Sequence, residues 1–345
     1  MSKLTVSSSP HYRSCDSTRT VMLDVILALL PILAVSVIFF GFRALALTLV
    51  SVGACIAFES LFNFIRKKKN TISDLSCIVT GILLAFNMPV TVPYWMVIIG
   101  ALFAIVVVKM LFGGLGKNFA NPALAARAFL FSWPTLMTTF VKPLNAGKIP
   151  VFYDPIFTDG ISNETIDAIT SATPLKSLKA GNMPDESIFD LFLGNKAGCI
   201  GEICTLVIIL GGLYLLLRKV ITWQIPFCYI LTVAAVTFIF PLTGGAFDLD
   251  FMLAELCSGG LMLGAFFMAT DYSTSPVTSK GQIIFGIGCG LLTVFLRYFS
   301  SYSEGVSYAI LLMNVFAFSL DKLTKPPRYG KGGDSYDVEE KSLRH

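Results

Sequence analysis

Val21–Phe40 reads VMLDVILALLPILAVSVIFF, twenty residues carrying one charge, Asp24. As α-helix such a run rises about 30 Å, the thickness of a bilayer's hydrocarbon layer. Twenty mostly polar residues precede it and no small-residue cleavage site follows. It therefore reads as a retained membrane span and not a removed leader. Similar runs recur outward along the chain: Ala44–Ile65, Leu75–Met88, Tyr94–Phe112, Pro122–Phe140, Cys199–Leu217, Trp223–Phe240, Met252–Thr270, Ile283–Phe299 and Val306–Leu320. That makes ten, five on either side of a polar stretch from Val141 to Gly198. Leu75–Met88 is too short to cross alone. Hydrophobic residues form 54% of the chain and charged ones 14%, with mean hydropathy +0.73. A water-soluble domain needs more polar surface than that.

Basic residues orient the spans, because Lys and Arg collect on the cytoplasmic side of short loops. With the N-terminus inside, 17 of the 26 lie cytoplasmic, including the run Arg66-Lys67-Lys68-Lys69 and six from Lys322 onward. Six lie outside: Arg43, Lys142, Lys148, Lys176, Lys179 and Lys196. Both termini are expected in the cytoplasm and the long polar loop outside a bacterial cytoplasmic membrane. The net charge of +4 is accounted for by this topology and points to no nucleic-acid partner.

Two related five-span halves must sit in opposite orientations about an axis in the membrane plane. The expected fold is thus an all-α polytopic membrane protein of about ten helices in two inverted five-helix repeats. Residues 1–140 form the first repeat, 141–198 the outer loop, 199–322 the second repeat and 323–345 a cytoplasmic tail. The short third span, with Ser76, Thr80, Gly81 and a break at Asn87-Met88-Pro89, is matched by the eighth. That one carries Ser258-Gly259-Gly260 and breaks at Ala269-Thr270-Asp271. Small, polar, interrupted segments at matching places line sites near the midplane in such folds, though small residues also serve ordinary helix packing.

The outer loop holds Asp167-Ala168-Ile169-Thr170-Ser171-Ala172-Thr173. The string resembles the signal by which a flavin transferase joins FMN to a threonine through a phosphoester. Thr173 is then the attachment residue, with Asp167, Ser171 and Ala172 serving recognition. Pro174-Leu175 after the string, the stretch Gly113-Gly114-Leu115-Gly116-Lys117-Asn118-Phe119-Ala120-Asn121-Pro122-Ala123-Leu124-Ala125-Ala126-Arg127-Ala128-Phe129, and Met268-Ala269-Thr270-Asp271 extend the likeness. Over nearly its whole length the chain resembles the D subunit of the Rnf complex, a respiratory ferredoxin:NAD oxidoreductase coupled to Na+ or H+ export. Its relative is the B subunit of the sodium-pumping NADH:quinone reductase, which has a longer N-terminal region. The resemblance implies a urea-transporter-like fold, covalent FMN, and a noncovalent riboflavin near the cytoplasmic side contacted by Asn118, Asn121 and Asp271. It also implies partners: other Rnf membrane subunits, a flavin-bearing G subunit, ferredoxin- and NAD-reactive subunits, and the flavin transferase. The fold without the flavin string would suit a cofactor-free solute channel or transporter.

Asn121-Pro122 also reads as a helix start, with Asn as cap and Pro in the first turn. Asp24, Glu59 and Glu255 are acidic residues in apolar runs, which places each in a buried pair or on an ion path. Lys109, Arg127 and Arg297 carry the same expectation of a partner group or an ion path, with snorkelling towards the cytoplasm as the alternative for Lys109 and Arg127. Eight cysteines include no Cys-x-x-Cys pair and read as small buried hydrophobes. Two histidines at opposite ends, His11 and His345, leave no basis for a haem or zinc site. Gly113-Gly114-Leu115-Gly116 lacks the strand-then-helix setting of a dinucleotide site. NAD and ferredoxin chemistry must therefore belong to other chains.

Overall fold

A computed structural model describes residues 17–67, 71–143, 173–245, 247–300, 302 and 304–325. Its regular elements are helices. In order they are α1 (Thr18–Phe40), α2 (Phe42–Ile65), α3 (Ser76–Phe86), α4 (Tyr94–Met110), α5 (Pro122–Leu130), α6 (Pro134–Met137), α7 (Pro174–Lys179), α8 (Ile188–Leu193), α9 (Thr205–Leu217), α10 (Gln224–Ile239), α11 (Leu249–Cys257), α12 (Leu261–Met268), α13 (Ser279–Phe299) and α14 (Val306–Leu323).

Ser17 starts α1 through a capping box with Thr20, which satisfies amide donors that the first turn leaves free. Gly41, at φ +77°, ends α1 and starts α2 directly, a conformation that costs glycine nothing. Among the described residues four helices are long and apolar enough to cross a membrane alone: α1, α2, α13 and α14. A fifth is α11 and α12 taken together, which meet at 64°. Large apolar side chains such as Ile38, Phe64, Leu217 and Phe299 face outward, as suits lipid or partner subunits.

The other expected spans are shorter or broken, each for a local reason. The run Pro122–Phe140 is helical only to Leu130 and resumes for one turn at Pro134 after the Trp133 cap, since proline ends a helix ahead of it and starts a new one. The run Cys199–Leu217 becomes helix at Thr205, the residues before it forming an irregular buried loop. The run Met252–Thr270 breaks at Ser258-Gly259-Gly260, where Gly259 takes φ +66°.

α3 is buried on nearly every face, as expected for a helix apolar all round. It lies so close to α2 that a Cβ on Gly81 would stand 2.7 Å from Val52 Cα. After α3 the chain runs without helix through Asn87–Val92, fully buried. Irregular backbone at such depth needs partners for its polar groups. Cys199 Sγ donates to Asn87 O at 3.4 Å, while Ile200 N donates to Met88 O at 3.0 Å and Gly201 N to Phe86 O at 2.9 Å. Arg43 Nε donates to Val90 O at 2.6 Å and its Nη2 to Val92 O at 3.0 Å. The α11–α12 break is held in the same manner: Arg297 Nη2 donates to Ser258 O at 3.1 Å, and Lys196 Nζ to Cys257 O. A single apolar core runs through both halves. A smaller cluster around Leu178, Leu191 and Phe251 docks α7 and α8 onto α11.

Candidate functional site

Thr173 stands at the first position before α7, partly buried. Its carbonyl accepts from Lys176 N at 2.9 Å, but its side chain makes no capping bond. The hydroxyl is therefore not spent on the helix it precedes. α7 is fastened below: Leu175 Cδ1 occupies the space a Cβ on Gly259 would need, and Lys179 Nζ donates to Ser300 O. Thr173 thus rests on the broken segment of the second half. Asp167, Ser171 and Ala172 lie outside the described residues.

Asn118, Asn121 and Asp271 all line one cavity between the halves. The inner chamber measures about 80 Å³ and shares Met22, Leu115, Asp271, Tyr272 and Ser273 with an outer one of about 450 Å³. The outer chamber falls within the range usual for small-molecule sites. Asn118 Nδ2 donates to Ala120 O at 3.2 Å, whereas its buried Oδ1 has no donor. An orphaned acceptor there suits a ligand N–H. Asn121 does two jobs: Oδ1 caps α5 by accepting from Ala123 N at 3.0 Å, and Nδ2 donates to Met268 O at 3.3 Å. Asp271 accepts from the Ser273 and Thr274 hydroxyls at 3.0 and 3.3 Å. Desolvation pushes its carboxyl above the usual range, against those bonds.

The buried acids in the spans are paired. Asp24 accepts from Arg218 at 3.0 Å and from Tyr214 at 3.1 Å, tying α1 to α9. Glu59 Oε2 accepts from Lys109 at 2.6 Å and its Oε1 from Thr71 at 2.5 Å. Lys109 also donates to Ser76 Oγ at 2.8 Å and forms part of the cavity wall. Glu255 accepts from Arg297 at 2.5 Å. Lys109 and Arg127 do not snorkel: they are 3% and 2% exposed and held in ion pairs.

A profile of the NQR2, RnfD, RnfE family matches residues 5–330. Among similar proteins, the D subunit of the Na(+)-translocating ferredoxin:NAD(+) oxidoreductase complex of Acetobacterium woodii is 49% identical over 333 residues, 95% of each chain. The D subunit of the proton-translocating ferredoxin:NAD(+) oxidoreductase complex of Clostridium ljungdahlii is 41% identical, over 94% of this chain and 96% of its own. The D subunit of an Escherichia coli ion-translocating oxidoreductase complex is 37% identical, over 94% and 98%. The chain belongs to the NQR2, RnfD, RnfE family.

In this member of the NQR2, RnfD, RnfE family the densest polar cluster was not legible in the sequence. Arg127, on α5, donates to Asn87 Oδ1 at 2.9 Å and Ser307 Oγ at 3.1 Å, and it pairs with Glu304. Glu202 stands 3.6 Å away from the same guanidinium. Glu202 falls at the start of the run Cys199–Leu217, read as a span, and Glu304 in the short loop between the last two runs. For Glu202 the available signal is a lone acid between Gly201 and Ile203 in an apolar run; Glu304, after three serines and a tyrosine, carries none. Nearby Lys196 is buried, donating to Thr205 Oγ1 at 3.3 Å and to Cys257 O. Burial holds its ammonium down at about 8.

Proposed function

We propose that this chain is the membrane-embedded electron-transfer subunit of an ion-translocating ferredoxin:NAD oxidoreductase complex, with FMN joined to Thr173 and a second flavin held at Asn118, Asn121 and Asp271. Family membership supports the complex, since each of the three relatives is named as the D subunit of an oxidoreductase complex. The observation that carries the cofactor reading is the uncommitted Thr173 hydroxyl at the end of the Asp167–Thr173 string. Bound flavin supplies one- and two-electron chemistry that amino-acid side chains of this composition lack. The protein's part is to hold and orient. α7 fixes Thr173 over Gly259, while Asn118 offers a desolvated acceptor and Lys109 a fixed positive charge at the cavity wall.

The proposed architecture is ten crossings in two inverted repeats, both termini cytoplasmic and Thr173 outside. Two comparable buried ion pairs, with the cation on the fourth and ninth spans although the acids sit on the second and the eighth, support it. Lys109 near the end of α4 pairs with Glu59 and reaches Ser76, where the first broken segment starts. Arg297 near the end of α13 pairs with Glu255 and reaches Ser258, in the second break. Among relatives the named ion divides between sodium and protons at 49% and 41% identity, so the coupling ion does not follow from overall likeness.

The decisive experiment is ultraviolet fluorescence of the denatured chain on a gel, after co-expression with a flavin transferase. Wild type is expected to glow and Thr173→Ala to be dark. A dark wild-type band, with the transferase active on another substrate, removes the covalent cofactor. For the second flavin, Asn118→Leu should weaken riboflavin binding to the purified chain about tenfold, roughly 1.4 kcal/mol, read by fluorescence quenching. Equal binding by both chains would take Asn118 out of the site.

A further inference from the structure

Glu202 and Glu304 face each other across Gly260. A Cβ on Gly260 would lie 2.8 Å from Oε1 of each, so only glycine admits the two carboxyls over this backbone. Gly260 N donates to Glu304 Oε1 at 2.7 Å, and Arg127 Nη2 donates to Glu304 Oε2. Glu202 receives less. Its Oε2 accepts from Cys199 N at 3.4 Å, while its Oε1 is buried without a donor. Oxygens of the two carboxyls come within 4.8 Å of one another, with both Oε1 atoms bordering the same point above Gly260. Two carboxylates cannot bond to each other; an acid and a carboxylate can.

Every charged or titratable group around the pair is accounted for. Arg127 contacts both glutamates but donates only to Glu304. Lys196 spends its ammonium on the Cys257 carbonyl and Thr205 hydroxyl, and Arg297 donates to Glu255 and the Ser258 carbonyl, its Nε without an acceptor. Cys199 Sγ donates to Asn87 O. Among the described residues Glu202 keeps only the 3.6 Å contact to Arg127, too long for a hydrogen bond. A low-dielectric setting with like charges in contact leaves one of the two protonated.

We propose that Glu202 and Glu304 form a proton-binding site in which one proton is shared between the two carboxyls and exchanges through the small cavity beside Thr173. That cavity, about 30 Å³, is bordered by Thr173, Phe140, Ala197, Glu202 and Glu304 and has room for roughly two waters. On release the proton passes to water there, leaving two carboxylates on one guanidinium; on uptake the acid–carboxylate bond reforms. A sodium ion fits poorly, because the Arg127 guanidinium already stands against both acids and a thiol, Cys199, is the third candidate donor. The site is independent of whether Thr173 carries a flavin.

The test is infrared spectroscopy of the purified full-length chain in lipid nanodiscs. A carbonyl stretch of one buried carboxylic acid is expected at neutral pH, shifted in D2O, lost at alkaline pH and missing from the isosteric Glu202→Gln. Thermal unfolding checks that this variant is folded; should it not be, Glu304→Gln serves in its place and must likewise abolish the shared-proton band. A band absent from wild type, or unaltered in a folded variant, overturns the proposal. Exchanging sodium chloride for choline chloride at constant pH should leave the band unchanged; its disappearance with sodium would assign the site to a metal cation instead. Ala197→Leu, which fills the cavity, should slow the deuterium shift several-fold without removing the band. An unchanged rate would overturn the exchange route.

Discussion

Buried Lys196, in the outer loop, and buried Glu59, in a span, show how burial treats two ionisable side chains. Glu59 has Lys109 at 2.6 Å and a hydroxyl besides, so its charge is compensated. Lys196 has a carbonyl and a hydroxyl but no directly bonded carboxylate, and desolvation lowers it to about 8 against 10.5 in the unfolded chain. Between those values the unfolded chain binds a proton that the folded chain does not, so stability rises with pH across the window. Below about 8 both states are protonated and the whole penalty of roughly 3 kcal/mol applies. Lys196→Met should therefore raise the melting temperature relative to wild type more at pH about 7 than at about 9.5. Thermal unfolding of both proteins in one detergent measures this; a difference independent of pH would show that Lys196 titrates normally.

Among the elements, close approach of backbones decides which glycines can change. On α3, Gly81 has Val52 Cα where its Cβ would go; on α2, Gly53 has nothing within 4 Å. Gly81→Ala should cost about 1–3 kcal/mol by forcing the helices apart. Gly53→Ala should be neutral or gain up to about 1 kcal/mol from helix propensity. Chemical denaturation of the two variants beside wild type separates these cases, and equal effects would count against the α2–α3 contact. The sequence announced α1, α2, α13 and α14 because unbroken apolar runs of about twenty residues have few other uses. It also announced both interrupted segments, but it put the second break at Ala269-Thr270-Asp271, where α12 has just ended, and not at Ser258-Gly259-Gly260, where the chain bends. It could not announce what satisfies them. Arg43 reads as a loop cation outside the membrane, and Cys199-Ile200-Gly201 as the start of a span, yet these residues bond the first break. Partners distant in sequence leave no trace in periodicity. Asn118, Asn121 and Asp271 were legible only through family likeness; the cavity that joins them is a product of packing between the halves.

For the whole molecule the orientation proposal has a direct test. In a cysteine-free background, Ser187→Cys, near the start of α8, and Lys67→Cys, after α2, should report opposite sides. An impermeant maleimide added to right-side-out vesicles is expected to label the first and spare the second. Labelling of both from one side would require an odd number of crossings between them to become even, and the inverted arrangement would fail. Asp24 gains meaning at this scale also: its bond to Arg218 joins α1 of one half to α9 of the other, so the halves are tied by charge as well as by a common apolar core.

The bond from Cys199 to Asn87 spans 112 residues, and that separation bears on how the protein is made. A ribosome adding about 5–20 residues per second needs about 6–22 s to reach the partner after the break has been synthesised. Throughout that interval the carbonyls of Asn87, Met88 and Phe86 have no chain to bond. The nascent first half must therefore wait, incomplete, in the insertion machinery or beside water. Its assembly is timed by translation of the second half, and slowing the ribosome between the two lengthens exposure to quality-control proteases.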